Sequence, residues 1–421
     1  MLPLLALTLP SLALALREGR NGPGQPLTFK SDGTFQITII EDLHYGEAPS
    51  SYGPVQDALT TSTISNLLAS EPSTDFVIIN GDLISRDNIF AANTTAYVDQ
   101  ALAPIAARGL TFASLHGNHD PGYNRSVEAL LAREHLTPGS RTRSSVPDPQ
   151  RVGATNYRLP IFPPDCGDAK NTCGCTPEVI LWFFDSRSGF AYQALNPDGT
   201  RIQRPNWVDA DVVSWFLSEN ARITKKYGRV IPSLVFTHIP ISAFRAIGTA
   251  PGLVDPVRNP GLNDQTIATQ ADGFCPDGAF NGTCAYGGQD VPLMRALAST
   301  PGLLGLFSAH IHGQSWCYKW TKDSPLGDFP VKPEGDGLNI CFGQRTGYGG
   351  NGNWQRGARN LLLSREGITK GELDTWIRLE DNEVVGEVSL NATFGEDVYK
   401  ASPNKKTYCE ECLLLGKPRS D

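Results

Sequence analysis

Short, largely apolar runs alternate along this chain with longer amphipathic ones. Phe35-Gln36-Ile37-Thr38-Ile39-Ile40, Phe76-Val77-Ile78-Ile79, Thr111 to Leu115, Val179 to Phe184, Ser233 to Thr237 and Leu303 to Phe307 are too short for helices. Their β-branched and aromatic content reads as core strands. Between them, Ala58, Leu59, Ile64, Leu67 and Leu68 recur at helical spacing within Val55 to Leu68. Ala96 to Ala107, Trp207 to Lys226 and Val291 to Ala298 are also read as helices, the second with Val208, Val212, Trp215 and Phe216 facing the core. Buried strands alternating with helices predict an α/β fold, a largely parallel sheet covered on both faces, with its functional groups at the carboxyl ends of the strands. Strands near Glu372 to Leu379 and Glu383 to Ser389 complete it.

Two stretches break this rhythm. Residues 138–176 and 246–288 are rich in Gly, Pro, Asp or Asn and carry cysteines, and read as inserts, the first a disulfide-pinned surface excursion with periodicity only over Tyr157 to Ile161. Gly343 to Trp354 is glycine-dense with interspersed Arg, Tyr and Trp. It reads either as a wall of a binding cleft or as a flexible connection. No repeat and no domain break is evident, so residues 34–395 are taken as one domain, 17–33 as a linker and 396–421 as a tail stapled by Cys409 and Cys412.

Residues 1–16 form an apolar stretch of signal-peptide length, short of the roughly 20 residues a bilayer span requires. Ala13-Leu14-Ala15 offers a small-x-small cleavage site, although no Lys or Arg precedes it. The chain is therefore expected to be secreted, with no stable membrane insertion. Nine cysteines, mostly in loop-like sequence, agree with an oxidising compartment. Cys275 with Cys284 and Cys317 with Cys341 are the expected local bridges, and the odd total leaves one thiol over. N-glycans are expected at Asn93, Asn281 and Asn391, and also at Asn124, where a glycan would crowd an active-site mouth. A net charge of −8 without any basic run argues against nucleic acid as a partner.

The ends of the strands carry the chemistry. In order they bear Asp42-x-His44, Gly81-Asp82, Gly117-Asn118-His119-Asp120, His238 and His310-x-His312, and five of the seven histidines fall in this set. A single His-x-His is common by chance, but two residues apart on a strand point to one face, and the company of the other groups makes a metal site the better reading. His135, on a presumed helix, reads as an ordinary core or surface histidine. His116 is open.

This ordered set resembles the calcineurin-like metallophosphoesterase superfamily, whose five motifs are D-x-H, G-D, G-N-H-[DE], a lone H and G-H-x-H. The resemblance spans roughly residues 35 to 390. Together with Cys341-Phe342-Gly343-Gln344-Arg345-Thr346-Gly347-Tyr348-Gly349-Gly350, it points to an exported fungal branch related to plant purple-acid-phosphatase-like proteins. It implies a four-layer α/β/β/α sandwich of two mixed sheets flanked by helices. Asp42, His44 and His312 would hold one divalent ion, Asn118, His238 and His310 the other, and Asp82 would bridge them. Zn, Mn, Fe or Mg would serve, and mixed imidazole and oxygen donors suit Zn, Mn or Fe more than Ca. A metal-bound hydroxide would attack a small phosphomonoester in line. His119 would protonate the leaving group, with Asp120 orienting its imidazole. A phosphodiesterase acting on nucleotides or phospholipid head groups, and an inactive metal-binding secreted protein, are the alternatives. Two departures stand out. Ala309 replaces the glycine of the last motif, and Ser85 stands where purple acid phosphatases carry an iron-binding tyrosine, so the protein is expected to be colourless.

Overall fold

The computed structural model describes residues 25–85, 94–166, 174–282, 284–324, 335 and 337–418. The expected signal segment 1–16, Asn93 and Cys173 lie outside these residues. Along the chain the elements are β1 (Leu27–Thr28), β2 (Thr34–Ile40), α1 (Gly53–Ser70), β3 (Phe76–Asn80), α2 (Thr94–Ala106), β4 (Thr111–Leu115), α3 (Val127–Glu134), α4 (Pro149–Val152), β5 (Tyr157–Phe162) and β6 (Val179–Phe184). A hairpin β7 (Phe190–Leu195) and β8 (Arg201–Gln203) is next, then α5 (Ala210–Tyr227), β9 (Ser233–Thr237), α6 (Ser242–Thr249), α7 (Val291–Ala298), β10 (Leu303–Ser308), β11 (Cys317–Trp320) and β12 (Leu338–Phe342). Last come β13 (Gly357–Ser364), α8 (Arg365–Lys370), β14 (Leu373–Leu379), β15 (Val384–Leu390) and α9 (Glu410–Leu414).

These strands form two large sheets instead of the one that periodicity alone predicts. Seven run in the order β1-β5-β6-β9-β10-β12-β11 and six in the order β15-β14-β13-β2-β3-β4. Each is mixed. In the first, β6, β9, β10 and β12 are parallel while β5 and β11 run antiparallel to β6 and β12. In the second, β2, β3 and β4 are parallel and β13, β14 and β15 antiparallel. Alternate residues of each strand separate the layers. Val179, Leu181 and Phe183 join Phe35, Ile37 and Ile39 in the core between the sheets, whereas Ile180, Trp182 and Phe184 pack outward with α5 and α7. Val77 and Ile79 pack outward with α1 and α2. The result is the four-layer sandwich, helix on sheet on sheet on helix.

A row of rings runs across the inter-sheet core. Tyr157 stacks on Phe183 at 4.5 Å, Phe183 on Phe236 at 5.3 Å and Phe236 on Phe307 at 5.7 Å. Each buried ring contributes about 1.5–3 kcal/mol of transfer free energy, and the row ties β5, β6, β9 and β10 in register. Phe184 therefore pairs with Thr237, and Thr237 with Ser308, so His238 and His310 leave the sheet at one level.

The structure also corrects details of the sequence reading. The first insert is not wholly a surface excursion: β5 lies inside the larger sheet, and the Cys166–Cys175 bridge closes the connection from β5 to β6. Cys275–Cys284, Cys317–Cys341 and Cys409–Cys412 bridge as expected. Strand β13, beside β2, has no counterpart in the hydrophobic pattern because Arg359 and Asn360 interrupt it. Both are buried: Arg359 donates to the Phe342 and Ser315 carbonyls and to Thr375 Oγ1, and Asn360 Oδ1 accepts from Thr38 at 2.7 Å. No helix among the described residues is long and apolar enough to cross a membrane.

Candidate metal centre

Every residue singled out at a strand end lies at one edge of the sandwich, where the two sheets bring their carboxyl ends together. Asp42, His44, Asp82 and His310 adopt positive φ, at 54°, 51°, 53° and 72°. Left-handed backbone at a non-glycine residue costs of order 1 kcal/mol or more. Here it turns each side chain back over the sheet edge directly after a strand. Ala309 has no positive φ, the strain falling on His310 instead, so its methyl group is accommodated, buried, where the motif has glycine.

Two groups of donors converge, with Asp82 between them. In one, His44 Nε2 lies 3.2 Å from His312 Nε2, and His312 Nε2 lies 3.6 Å from Asp42 Oδ1. In the other, His238 Nε2 lies 3.0 Å from Asn118 Oδ1 and 3.2 Å from Asp82 Oδ2, with the His310 ring centroid 5.2 Å from that of His238. Asp82 Oδ2 is also 3.7 Å from His44 Nε2. The donor atoms of Asp42, His44 and His312, and those of Asp82, His238 and His310, lie close enough within each group to hold one ion.

The electrostatics fit cations better than a closed hydrogen-bonded network. Asp42 is almost fully buried, yet neither of its carboxylate oxygens receives a hydrogen bond from the described residues. An anion left so is costly unless something positive compensates it. Two imidazole nitrogens on a tetrahedral ion at about 2.0–2.1 Å stand roughly 3.3 Å apart, close to the separation of His44 and His312. Burial, then the neighbouring His119, holds the His44 imidazole well below its ordinary range. Burial and the charge of His238 push His310 down to about 3. Both shifts favour the neutral ring, the form that has a lone pair to offer. His238 goes the other way: burial opposes its charge, but Asp82, reinforced by Asp42, prevails and lifts it to about 10. Burial likewise works against ionisation of Asp82, and the charge of His238 overcomes it and holds the carboxylate well below its usual range.

Backbone carbonyls fix which ring nitrogens face inward. His238 Nδ1 donates to the Asn80 carbonyl at 2.8 Å and His312 Nδ1 to that of Asn351, also at 2.8 Å, so both Nε2 atoms are left for the site. Gly81, at φ +92°, is required beside this arrangement, since a Cβ there would lie 2.4 Å from His238 Nδ1.

His119 is partly exposed and stands edge-on to His44 at 4.6 Å between centroids. Its backbone amide donates to Asp82 Oδ1 at 2.7 Å. Asp120 is engaged by backbone amides. Its carboxylate accepts from the amides of Asp82 at 2.9 Å, Ile84 at 3.1 Å and Gly117 at 2.7 Å. It orders the backbone of two ligand loops, because three converging amides satisfy a buried carboxylate better than one ring can. His116 is fully buried behind this loop, 3.8 Å from Glu134, and takes no part in the centre. His135 bonds the Thr142 carbonyl.

The calcineurin-like phosphoesterase family model matches residues 35–314. The chain belongs to that family. Its similar relatives include the probable inactive purple acid phosphatases 14 and 28 of Arabidopsis thaliana. The first is 24% identical over 84% of this chain and 83% of the plant protein, and the second 23% identical over 86% and 84%. Phosphatase DCR2 of Saccharomyces cerevisiae is 25% identical over 55% of this chain and 39% of its own length. Among solved structures, a dimetal phosphatase from Danio rerio aligns over 85% of this chain and 98% of that one at 11% identity and a TM-score of 0.48.

The candidate ligand side chains were visible as motifs. What the sequence hid was their support. The carbonyls of Asn80 and Asn351 carry no side-chain signal. The polar inner face of α1 did carry one: Gln56, Asp57, Thr60 and Thr63 recur at helical spacing and are buried, Gln56 donating to the Tyr348 carbonyl at 2.6 Å. The glycine-dense segment is a wall, laid against the Asp42–His44 loop.

Proposed function

We propose that this chain is a secreted, metal-dependent phosphoesterase that hydrolyses phosphomonoesters at a dinuclear site. The observation that carries the reading is the position of Asp82, whose carboxylate lies between the Asp42/His44/His312 group and the Asn118/His238/His310 group. Asp42, His44 and His312 would hold one divalent ion and Asn118, His238 and His310 the other, with Asp82 shared. Bound there, two such ions would supply Lewis acidity and a water made acidic enough to act near neutral pH. The residues themselves hold the geometry: imidazoles and buried carboxylates stay fixed while charge develops on a phosphoryl group. His119, on the open side, is placed to hand a proton to a departing alkoxide.

The plant relatives named probable inactive favour a second reading, a binding protein without turnover. Retention of all seven ligand-type side chains, and of His119, supports activity here. Four disulfides support an oxidising, extracellular location, as does the apolar run at 1–16, and glycans at Asn124, Asn281 and Asn391 belong to the same proposal. Purified protein is assayed with added Zn, Mn, Mg or Fe on mono- and bis-nitrophenyl phosphate from pH 4 to 8. Metal-dependent turnover favouring the monoester is expected. Turnover of the diester alone would move the assignment to phosphodiesterase, and bound metal without turnover on either would establish the inactive reading.

A further inference from the structure

The glycine-dense strap between β12 and β13 lies against the Asp42/His44/His312 half of the centre. A Cβ on Gly347 would lie 2.4 Å from the carbonyls of Asp42 and Leu43, and one on Gly349 2.5 Å from that of His44. At Gly350, φ +71°, a Cβ would lie 2.9 Å from His44 Cδ2 and 3.0 Å from His312 Cε1. Only bare backbone fits against these rings, and the same backbone presents the Asn351 carbonyl to His312. The seat of His44 and His312 therefore depends on what holds the strap down.

From inside, Arg345 is fully buried and donates to the carbonyls of Gly349, Asn351 and Gly352. From α1, Gln56 and Thr60 grip the backbone of Tyr348. From outside, the C-terminal tail crosses the strap. Lys417 Nζ donates to the Tyr348 carbonyl at 3.0 Å and to that of Gly350 at 3.3 Å, while Glu47 accepts from the Gly350 amide at 2.8 Å. The Lys417 amide in turn donates to the Cys412 carbonyl at 2.9 Å, next to the Cys409–Cys412 bridge. The Thr407 amide donates to the Asn353 carbonyl at 2.7 Å. Lys417 occupies this corner in spite of its company: burial, then Arg345, push its ammonium down to about 8.

We propose that Lys417 is a positioning residue for the metal centre, clamping the strap from the tail so that Gly350 and Asn351 hold His44 and His312 in place. The inference rests on the reading of the site as a metal centre. It concerns the Asp42/His44/His312 half and leaves the other half alone. Support for a metal ligand from outside its coordination shell is commonly worth 10–100-fold in affinity.

The test is cobalt(II) binding by the full-length protein, read by chelator competition and by the visible spectrum of the bound ion. Wild type is compared with Lys417→Met, which keeps the length and loses the donors, and with Lys417→Arg, which keeps both donors and charge. Lys417→Met is expected to fold, by circular dichroism, to bind one cobalt as wild type does and the other at least about tenfold more weakly, with an altered spectrum. Lys417→Arg is expected to restore most of that affinity. Two cobalt ions bound by Lys417→Met with wild-type affinity and spectrum would overturn the proposal, and so would an arginine variant as weak as the methionine one. Wild type that takes up no cobalt would bring down the metal-centre reading itself, a result distinguishable from the other two.

Discussion

Replacing Gly117 with alanine places a methyl group in space that Asp82 now occupies. A Cβ at position 117 would lie 2.2 Å from Asp82 Oδ1, 2.5 Å from its amide nitrogen and 2.8 Å from its Cγ. An ordinary contact requires the two to part by about 1 Å, and Asp82 is poorly able to yield. Its Oδ1 accepts from the His119 amide, its own amide is held by Asp120, and its other oxygen faces His238. Overpacking a rigid site costs about 1–3 kcal/mol, and a 1 Å misplacement of a group that orders the reaction costs about 10²-fold in rate. The expected outcome for Gly117→Ala is therefore a urea midpoint lowered by that order of stability, less than two equivalents of bound metal, and kcat/KM down by about two orders of magnitude. Gly174→Ala, where a Cβ meets no described residue within 4 Å, serves as the control and should behave as wild type. Gly117→Ala with normal metal content and normal kcat/KM would show that Asp82 does not sit at the working heart of the site.

Four further outcomes are expected. Asp120→Ala leaves three buried amides without their acceptor, each costing about 1–3 kcal/mol, so it should lower stability by several kcal/mol and empty the centre. A stable, metal-replete variant altered only in its pH–rate profile would restore Asp120 as partner of the His119 ring. Burial, then the charge of Glu47, lift Asp57 to about 7 against the amide of Gly46, so the folded state binds an extra proton between about pH 4 and pH 7 and stability falls as pH rises through that window. Asp57→Asn, compared with wild type by urea unfolding, should gain relative stability from pH 5 to pH 8, and a constant difference would contradict this. His119→Asn should slow alkyl phosphates more than nitrophenyl phosphate, whose leaving group needs no acid; equal losses would count against proton donation. Iron-loaded protein should show no tyrosinate charge-transfer band in the visible spectrum, since Ser85 carries no phenol, and a purple product would refute that.

The ligand types were legible in the sequence because each comes directly after an apolar run, and an apolar run that stops at Asp, Asn or His marks a strand end without any fold being known. Six core strands and the principal helices were legible for the same reason. The number of sheets was not legible in the hydrophobic pattern, and only the family resemblance implied two. A strand such as Val179–Phe184 is apolar at every position whether its inner face meets helices or a second sheet, so burial on both sides leaves no period from which to choose. Strand β13 was hidden by an arginine and an asparagine whose polar atoms are satisfied by partners far along the chain, and such partners exist only after folding. The role of Asp120 was likewise decided in three dimensions. Sequence placed it beside His119, but a carboxylate goes where donors converge, and the amides of Asp82, Ile84 and Gly117 converge only once two strand ends lie side by side. Sequence alone thus determined which side chains stand at the strand ends. Tertiary structure decided which of them meet, because facing backbone groups, ring tautomers and the grip of the strap depend on distances that no linear spacing encodes.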